Sequence, residues 1–324
     1  MSLVKEIMNM KKLNVTLAIL VAAVMAGNAA TEATSQIVGY SKVTVPNGTR
    51  AIVPGFVKAP VFQGSGVVTS QTIVSSGLSA NSLGPTAVGT GAVDFPTHYV
   101  DIISGNYEGH SYDILSNTAS SVTVSGLPSD LAGTTINYVI RPHLTLADID
   151  SSEMPDGSVI LNIFNDPVVS ATTYIYDSGG MWYDGSSTYV MNHAVIYPGY
   201  GVSINSANAS SFNITFKGYV KETSTVVPVY KDASINYVGP INPSSTTTLT
   251  QWAAPLPANS IANIVLTNGS NGVDLTLVTD TGSVILYDGA SNEMSSVAIA
   301  GQNAFAVGAN TEDGYVKFKS PLQQ

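Results

Sequence analysis

Apolar and polar residues alternate in short runs along most of this chain, and residues typical of turns separate these runs. The clearest example is Thr172–Ile204, where an extended run enters a glycine-containing turn and a second extended run follows. Alternation with a period of two indicates half-buried β-strands, and a glycine-containing turn between two such runs indicates a hairpin. The stretch therefore predicts a β-meander made of consecutive hairpins.

A degraded copy of this stretch occurs at Leu275–Val307, where both the Asp-x-Gly turn and the Tyr-Asp-Gly end recur. A second pattern, Gly-Tyr-x-Lys, occurs at residues 39–42, 218–221 and 314–317. Repetition at a distance is typical of a supersecondary unit that is used more than once. We therefore predict an internal repeat of the meander.

The predicted fold is all-β, with tandem antiparallel β-sandwich or barrel-like modules joined by proline-rich crossings. His143–Glu153 is the one segment with a pattern that fits a short helix, and we interpret it as a connector. The predicted organisation has four parts: a signal peptide at 1–29, an N-terminal β domain with a hairpin insert at 30–150, a first meander unit at 151–235, and a second, degraded unit at 236–324.

Residues 10–30 have the plan of a cleavable secretory signal peptide. Two lysines precede the uncharged apolar run Val15–Ala26, and small residues follow it. This run is shorter than the roughly 20 apolar residues that a membrane-spanning helix needs. We therefore expect cleavage after Ala29 or Ala30. The mature chain would have no membrane span and would be secreted to the extracellular space or cell surface, or to the periplasm.

The composition and charge of the chain limit the kinds of partner that it can bind. Only 10% of the 324 residues are charged, where about 25% is typical, and the formal net charge is −10. A negative surface repels a phosphate backbone, so nucleic acid is not an expected partner. Because the chain has no cysteine, disulfides and thiolate metal sites cannot contribute, and stability must come from burial and hydrogen bonds.

Four phrases in the chain are distinctive: FVKAPVF at Phe56–Phe62, HYVDIISGNYEGHSYDI at His98–Ile114, VIRPHLTLADI at Val139–Ile149, and the TTYIY and MWY strands of the first meander. With these phrases the chain resembles an uncharacterised family of secreted all-β proteins of verrucomicrobial-type bacteria. The resemblance implies export and a repeated β-fold, and it implies no activity. Its members often carry a tryptophan in the second hairpin, where this chain has Ile285 and Leu286.

Two histidines flank the turn of the clearest hairpin of the N-terminal region, at residues 98–116. We expect His98 and His110 to face each other with Asp101 and Asp113 nearby, an arrangement that could bind a metal or act as an acid–base pair. The alternative is a polar cross-strand pair without chemistry. No HExxH, GxSxG or P-loop spacing occurs, so we predict no catalytic residue and do not expect an enzyme.

An acidic cluster that ends at Gly157 contains Asp148, Asp150 and Asp156. Carboxylate oxygens close together in sequence are ligands that Ca²⁺ prefers, so one interpretation is a structural calcium site. The spacing is not that of an EF-hand loop, and the other interpretation is a solvated linker. We expect no other cofactor.

Aromatic residues crowd the first meander, and Tyr174, Tyr176, Trp182 and Tyr183 are the candidate ligand-binding residues. An exposed, flat row of these rings could stack on the sugar rings of a cell-surface glycan. The alternation of the tyrosines with Ile175 equally fits a buried core or a subunit contact.

Three functional classes follow. The first is a secreted, non-enzymatic structural protein of the surface-layer or filament type, which self-associates when the N-terminal Gly-Tyr-x-Lys strand of one copy pairs with the last such strand of another. The second is a carbohydrate-binding or adhesin module that uses the aromatic row. The third is a hydrolase, which would need a pocket that joins a histidine to a carboxylate.

Overall fold

The computed structural model describes residues 37–87, 94–164, 171–177, 179–208, 210–230, 236–243, 304 and 320, the strand 314–318, and the backbone of seven further strands between residues 247 and 307. The predicted signal peptide and its cleavage site lie outside the described residues. Within the described part of the chain, no helix is long and apolar enough to cross a membrane.

The fold is all-β, as predicted from the alternating pattern. The strands of the N-terminal half are β1 (Val38–Val45), β2 (Gly48–Ile52), β3 (Phe62–Thr69), β4 (Thr72–Val74), β5 (Thr86–Ala87), β6 (Asp94–Phe95), β7 (His98–Ile102), β8 (Ser111–Asn117), β9 (Ser121–Val124), β10 (Thr135–Pro142), β11 (Leu144–Thr145), β12 (Val159–Ile163) and β13 (Thr172–Asp177).

The remaining strands are β14 (Met181–Asp184), β15 (Val195–Ile196), β16 (Val202–Ser206), β17 (Phe212–Tyr219), β18 (Thr225–Val229), β19 (Asn236–Val238), β20 (Thr247–Thr248), β21 (Ile261–Leu266), β22 (Val273–Asp280), β23 (Ser283–Asp288), β24 (Glu293–Met294), β25 (Ala298–Ile299), β26 (Phe305–Val307) and β27 (Gly314–Phe318). Single 3-10 turns occur at Ser129–Leu131 and Leu146–Asp148. The predicted helical connector at His143–Glu153 thus contains strand β11 and one of these turns.

Six antiparallel strands close into a barrel in the order β10-β3-β4-β9-β8-β7. Its interior is filled by apolar side chains, among them Val100 and Ile140. Successive side chains of a strand point to opposite faces, so the residues next to these point outwards. The outer face of the barrel therefore carries polar residues of β7, β8 and β10, and this face contacts the rest of the chain.

The strands before and after the barrel in sequence form a β-sandwich. A five-stranded sheet in the order β14-β13-β12-β16-β2 shares one core with the β1–β17 ribbon. Strands β1 and β2 precede the barrel but pair with β17 and β16, which follow it. The barrel is thus an insertion between β2 and β11, and residues 38–52 belong with the sandwich.

The C-terminal strands pair in the same order as those of the sandwich. The β1–β17 pair corresponds to β18–β27, β11–β15 to β20–β25, and β2-β16-β12-β13-β14 to β19-β26-β21-β22-β23, with β24 as a sixth strand next to β23. The two hairpins that resemble each other in sequence, β13–β14 and β22–β23, occupy corresponding places in this order. A duplicated unit would produce this arrangement, but the internal repeat itself stays a prediction.

Candidate ligand-binding site

A cavity of about 410 Å³ opens where the outer face of the barrel meets the sandwich and strand β18. Ligand pockets in proteins commonly have volumes of roughly 300–1,000 Å³, so the cavity could hold a small molecule. It is lined by residues of five regions: Ser111, Tyr112 and Asp113 of β8; Ser125 after β9; His143 after β10; Tyr197, Pro198 and Tyr200 between β15 and β16; and Val226, Pro228 and Tyr230 in and after β18.

The strand register of the barrel places Asp113 and His143 side by side. Asp113 of β8 lies opposite Tyr99 of β7, which in turn lies opposite Arg141 of β10. His143 follows directly after β10 and packs against the Tyr99 ring, with ring centroids 4.8 Å apart. The histidine therefore leaves the barrel at the level of the carboxylate.

A tight turn between β15 and β16 brings two tyrosines to the cavity. Gly199 in this turn has φ +79°, a conformation that favours glycine. A Cβ atom there would lie 2.4 Å from a methyl group of Val227. Only glycine therefore allows the turn to approach β18 this closely, and its neighbours Tyr197 and Tyr200 line the cavity as a result.

The carboxylate of Asp113 accepts a hydrogen bond at each oxygen. His143 Nε2 lies 3.0 Å from Oδ1, and the Tyr197 hydroxyl donates to Oδ2 over 2.8 Å. Burial, and then the adjacent carboxylate, raise the pKa of Tyr197, so this hydroxyl stays protonated and remains a donor. Two donors fix the carboxylate while its side chain remains 27% exposed.

The second ring nitrogen of His143, Nδ1, is shielded from solvent. Nδ1 is buried and has no hydrogen-bond partner among the described residues. The neutral form with the proton on Nε2 satisfies the bond to Asp113 and leaves only a lone pair unpaired, so we assign that tautomer. The cavity thus joins a histidine to a carboxylate, which is the arrangement that the hydrolase class requires. Because neither ring nitrogen faces the cavity as a free base, the site suits hydrogen bonding to a ligand better than proton transfer.

Aromatic rings form the walls of the cavity. The Tyr197 ring packs edge to face on His143 and on Tyr200, with centroid distances of 5.1 and 6.2 Å. Burial, and then the nearby Tyr230, raise the pKa of Tyr200 well above its usual value. The walls thus combine apolar ring surface with hydroxyls that stay protonated.

The predicted pairing of His98 with His110 is wrong, although their hairpin, β7–β8, is present. His98 begins β7 whereas His110 lies at the turn before β8, so the two residues are at opposite ends of the hairpin. His98 Nδ1 contacts the Thr97 hydroxyl at 2.8 Å, and His110 packs against Tyr107 and Tyr315.

Of the two carboxylates predicted nearby, Asp113 lies in the cavity and Asp101 lies in a separate buried cluster. The histidine that meets Asp113 is His143, which the sequence pattern did not select. Its position directly after the strand-ending Pro142 was the available indication.

The acidic cluster is spread over separate contacts. Asp148 accepts from both donors of Thr145 and forms an ion pair with Lys58 at 2.7 Å. Asp150 accepts from the Ser152 backbone, and this bond lowers its pKa. Among the described residues, no group of three or more His, Asp or Glu is placed to hold a metal, Asp156 included. The calcium site stays a prediction.

The prediction that the aromatic residues of the first meander form an exposed face is wrong. Tyr174, Tyr176 and Trp182 are 5%, 4% and 1% exposed and belong to the sandwich core. Tyr176 and Trp182 face each other across β13–β14 with centroids 5.2 Å apart, and burial raises the pKa of Tyr174 to about 12. Only Tyr183, on the opposite face, is half-buried. Alternation directs the large rings inwards.

No protein-family model, curated protein or solved structure matches the chain. The family resemblance therefore stays a prediction.

Proposed function

We propose that the protein is an exported, non-enzymatic binding protein whose cavity takes a neutral sugar ring. The observation that carries this proposal is the Asp113 carboxylate, which His143 and Tyr197 fix at the exposed floor of a tyrosine-walled cavity. The proposal retains the carbohydrate-binding class expected from the sequence but assigns it to different residues.

The chemistry of the lining matches that of a sugar. Each sugar ring has hydroxyls that donate to a carboxylate and a face of C–H groups that packs on aromatic rings. The remaining lone pairs of Asp113, together with the hydroxyls of Tyr200 and Tyr230, supply the polar partners. An anionic ligand would meet the Asp113 carboxylate in a chain whose net charge is already −10, so a neutral ligand fits better.

Calorimetric titration of the mature protein with a panel of neutral mono- and oligosaccharides tests the proposal. We expect at least one saccharide to bind, and Asp113→Asn and Tyr197→Phe to weaken it. Asp156→Asn is the matched control, since Asp156 is an exposed carboxylate outside the cavity lining. Absence of binding to every saccharide in the panel would overturn the proposal.

A second candidate, a self-associating structural protein of the cell surface, is favoured by the exposed end of β1. Val38 and Tyr40 lie on its outer face and are 62% and 78% exposed. Strand exchange between copies is not the arrangement that the structure favours, because β1 already pairs with β17 and β27 with β18. Contact between outer faces is the remaining mode.

The combined variant Val38→Ser and Tyr40→Ser tests this candidate by light scattering coupled to size-exclusion chromatography. We expect a loss of assembly with unchanged folding, whereas a wild-type protein that is monomeric at all concentrations would overturn it. Truncation through Val45, which would remove β1, is an unsuitable test because Val43 and Val45 lie in the sandwich core.

A further inference from the structure

A buried lysine ties the barrel to the sandwich. Lys221 follows β17, and its ammonium nitrogen Nζ lies 2.8 Å from Oδ1 of Asp101 on the outer face of the barrel. Both side chains are almost completely buried, at 1% and 0% exposure. Thr223 Oγ1 and the Ser224 carbonyl oxygen also accept from Nζ, at 2.8 and 2.7 Å. The two residues are thus held in contact although 120 positions separate them.

As an ion pair this contact is incomplete. Asp101 Oδ2 and Arg141 Nε are buried, lie 3.7 Å apart, and have no hydrogen-bond partner within the described part of the chain. Burying charges is costly unless their hydrogen bonds are all satisfied. Burial also lowers the pKa of Lys221, which favours its neutral amine form. The environment therefore favours loss of the charges.

We propose that Lys221 and Asp101 form an intramolecular amide bond between Nζ and Cγ. Proton transfer across the 2.8 Å hydrogen bond gives a neutral amine and a carboxylic acid. The Nζ lone pair then attacks Cγ, a second proton passes from Nζ to Oδ1 of Asp101, and the C–O bond to Oδ1 breaks. One ammonium and one carboxylate become one amide and one water, so no oxidant, reductant or cofactor is required.

The fixed geometry supplies what this condensation needs. Reacting groups held at contact distance and excluded from water react far faster than the same groups in solution. The Arg141 guanidinium beside Oδ2 is placed to stabilise the negative charge that develops on oxygen when Nζ attacks. A cross-link here would close the loop between the barrel and the sandwich in a chain that has no cysteine for disulfides.

Peptide mapping of the purified wild-type protein tests the proposal. After denaturation, chymotrypsin cleavage at tyrosine gives the fragments Val100–Tyr107 and Val220–Tyr230, which contain Asp101 and Lys221. We expect one joined fragment, lighter than the sum of the two by the mass of water, about 18 Da. Recovery of the two fragments mainly as separate, unmodified peptides would overturn the proposal.

Two variants locate the bond. Lys221→Gln should release the separate fragments, while Lys217→Gln, which changes an exposed lysine of β17, should retain the joined fragment. A joined fragment that ends at Tyr219 and contains Lys217, in place of Val220–Tyr230, would put the cross-link at Lys217 and overturn the assignment. Because the wild-type measurement needs no variant to fold, a folding failure of Lys221→Gln leaves the test decisive.

Discussion

Two carboxylates on the same outer face of the barrel have opposite environments. Asp101 of β7 is fully buried, with one oxygen against Lys221 and the other without a hydrogen bond among the described residues. Asp113 of β8 is 27% exposed, and both of its oxygens accept hydrogen bonds. The contrast shows that solvent exposure decides what each carboxylate can do. The partly exposed Asp113 can bind a ligand, whereas the buried Asp101 can only lose its charge or form a covalent bond.

The strand register explains why neighbours differ so much. Asp101 lies between Val139 of β10 and Ser111 of β8, where the chain after β17 covers it. Asp113 lies two residues further along β8, beside the bulge between Ile114 and Ser116. A bulge bends its strand and interrupts the ladder, and the cavity opens on this side of the barrel.

The largest expected effect is that of Asp101→Ala on stability. The variant loses the proposed cross-link and leaves Lys221 Nζ buried without its carboxylate partner, and these losses add. We expect the free energy of unfolding in guanidinium chloride to fall by more than about 5 kcal/mol. A fall below about 1 kcal/mol would show that the buried carboxylate contributes little and would break the contrast.

The double variant Asp101→Leu with Lys221→Met separates the cross-link from the charges. Replacing a buried ion pair by apolar residues of similar volume is often neutral or stabilising. Opening a loop of this length should still cost about 4–5 kcal/mol in the chain-entropy model. We therefore expect the double variant to stay less stable than the wild type by roughly that amount. Wild-type stability would indicate an ordinary ion pair.

The sequence predicts much of the fold because strand alternation and turn residues are local properties. The β13–β14 and β7–β8 hairpins follow directly from such patterns. The insertion of the barrel does not, because pairing of β1 with β17 joins residues that are far apart in the sequence. Local periodicity carries no information about such partners.

The site is less predictable for the same reason. Asp113, His143 and Tyr197 come from three separate elements, and no spacing in the sequence links them. Conversely, Trp182 stands out in the sequence as a binding residue, yet it packs into the core. Residue type indicates what a side chain could do, whereas burial decides whether it does so.

Asp113→Asn tests the partly exposed side of the comparison. The amide retains the shape of the carboxylate but removes the charge and turns one acceptor into a donor that faces His143 or Tyr197. We expect the dissociation constant of the best-binding neutral saccharide to rise by at least about 10-fold, since hydrogen bonds to charged groups contribute roughly 1.5–3 kcal/mol. The free energy of unfolding should fall by only about 1–2 kcal/mol.

Calorimetry gives the saccharide dissociation constant and denaturation gives the free energy of unfolding, both on the same preparation. If Asp113→Asn lost stability as Asp101→Ala does while binding stayed unchanged, the two carboxylates would have the same structural role. Asp156→Asn should change neither quantity, because it removes an exposed carboxylate away from the cavity.

Tyr230→Phe should have the smallest effect, and it separates the hydroxyl of the cavity wall from its ring. Tyr230 lines the cavity, and its proximity helps to raise the pKa of Tyr200. Loss of one neutral hydrogen bond to the ligand costs about 0.5–1.5 kcal/mol of binding free energy. We therefore expect the saccharide dissociation constant to rise by about 2- to 10-fold. Tyr230→Ala removes the packing surface as well and should weaken binding further. Equal affinities of the two variants would show that the ligand contacts only the hydroxyl, and the wall would then recognise polar groups without stacking on the sugar face.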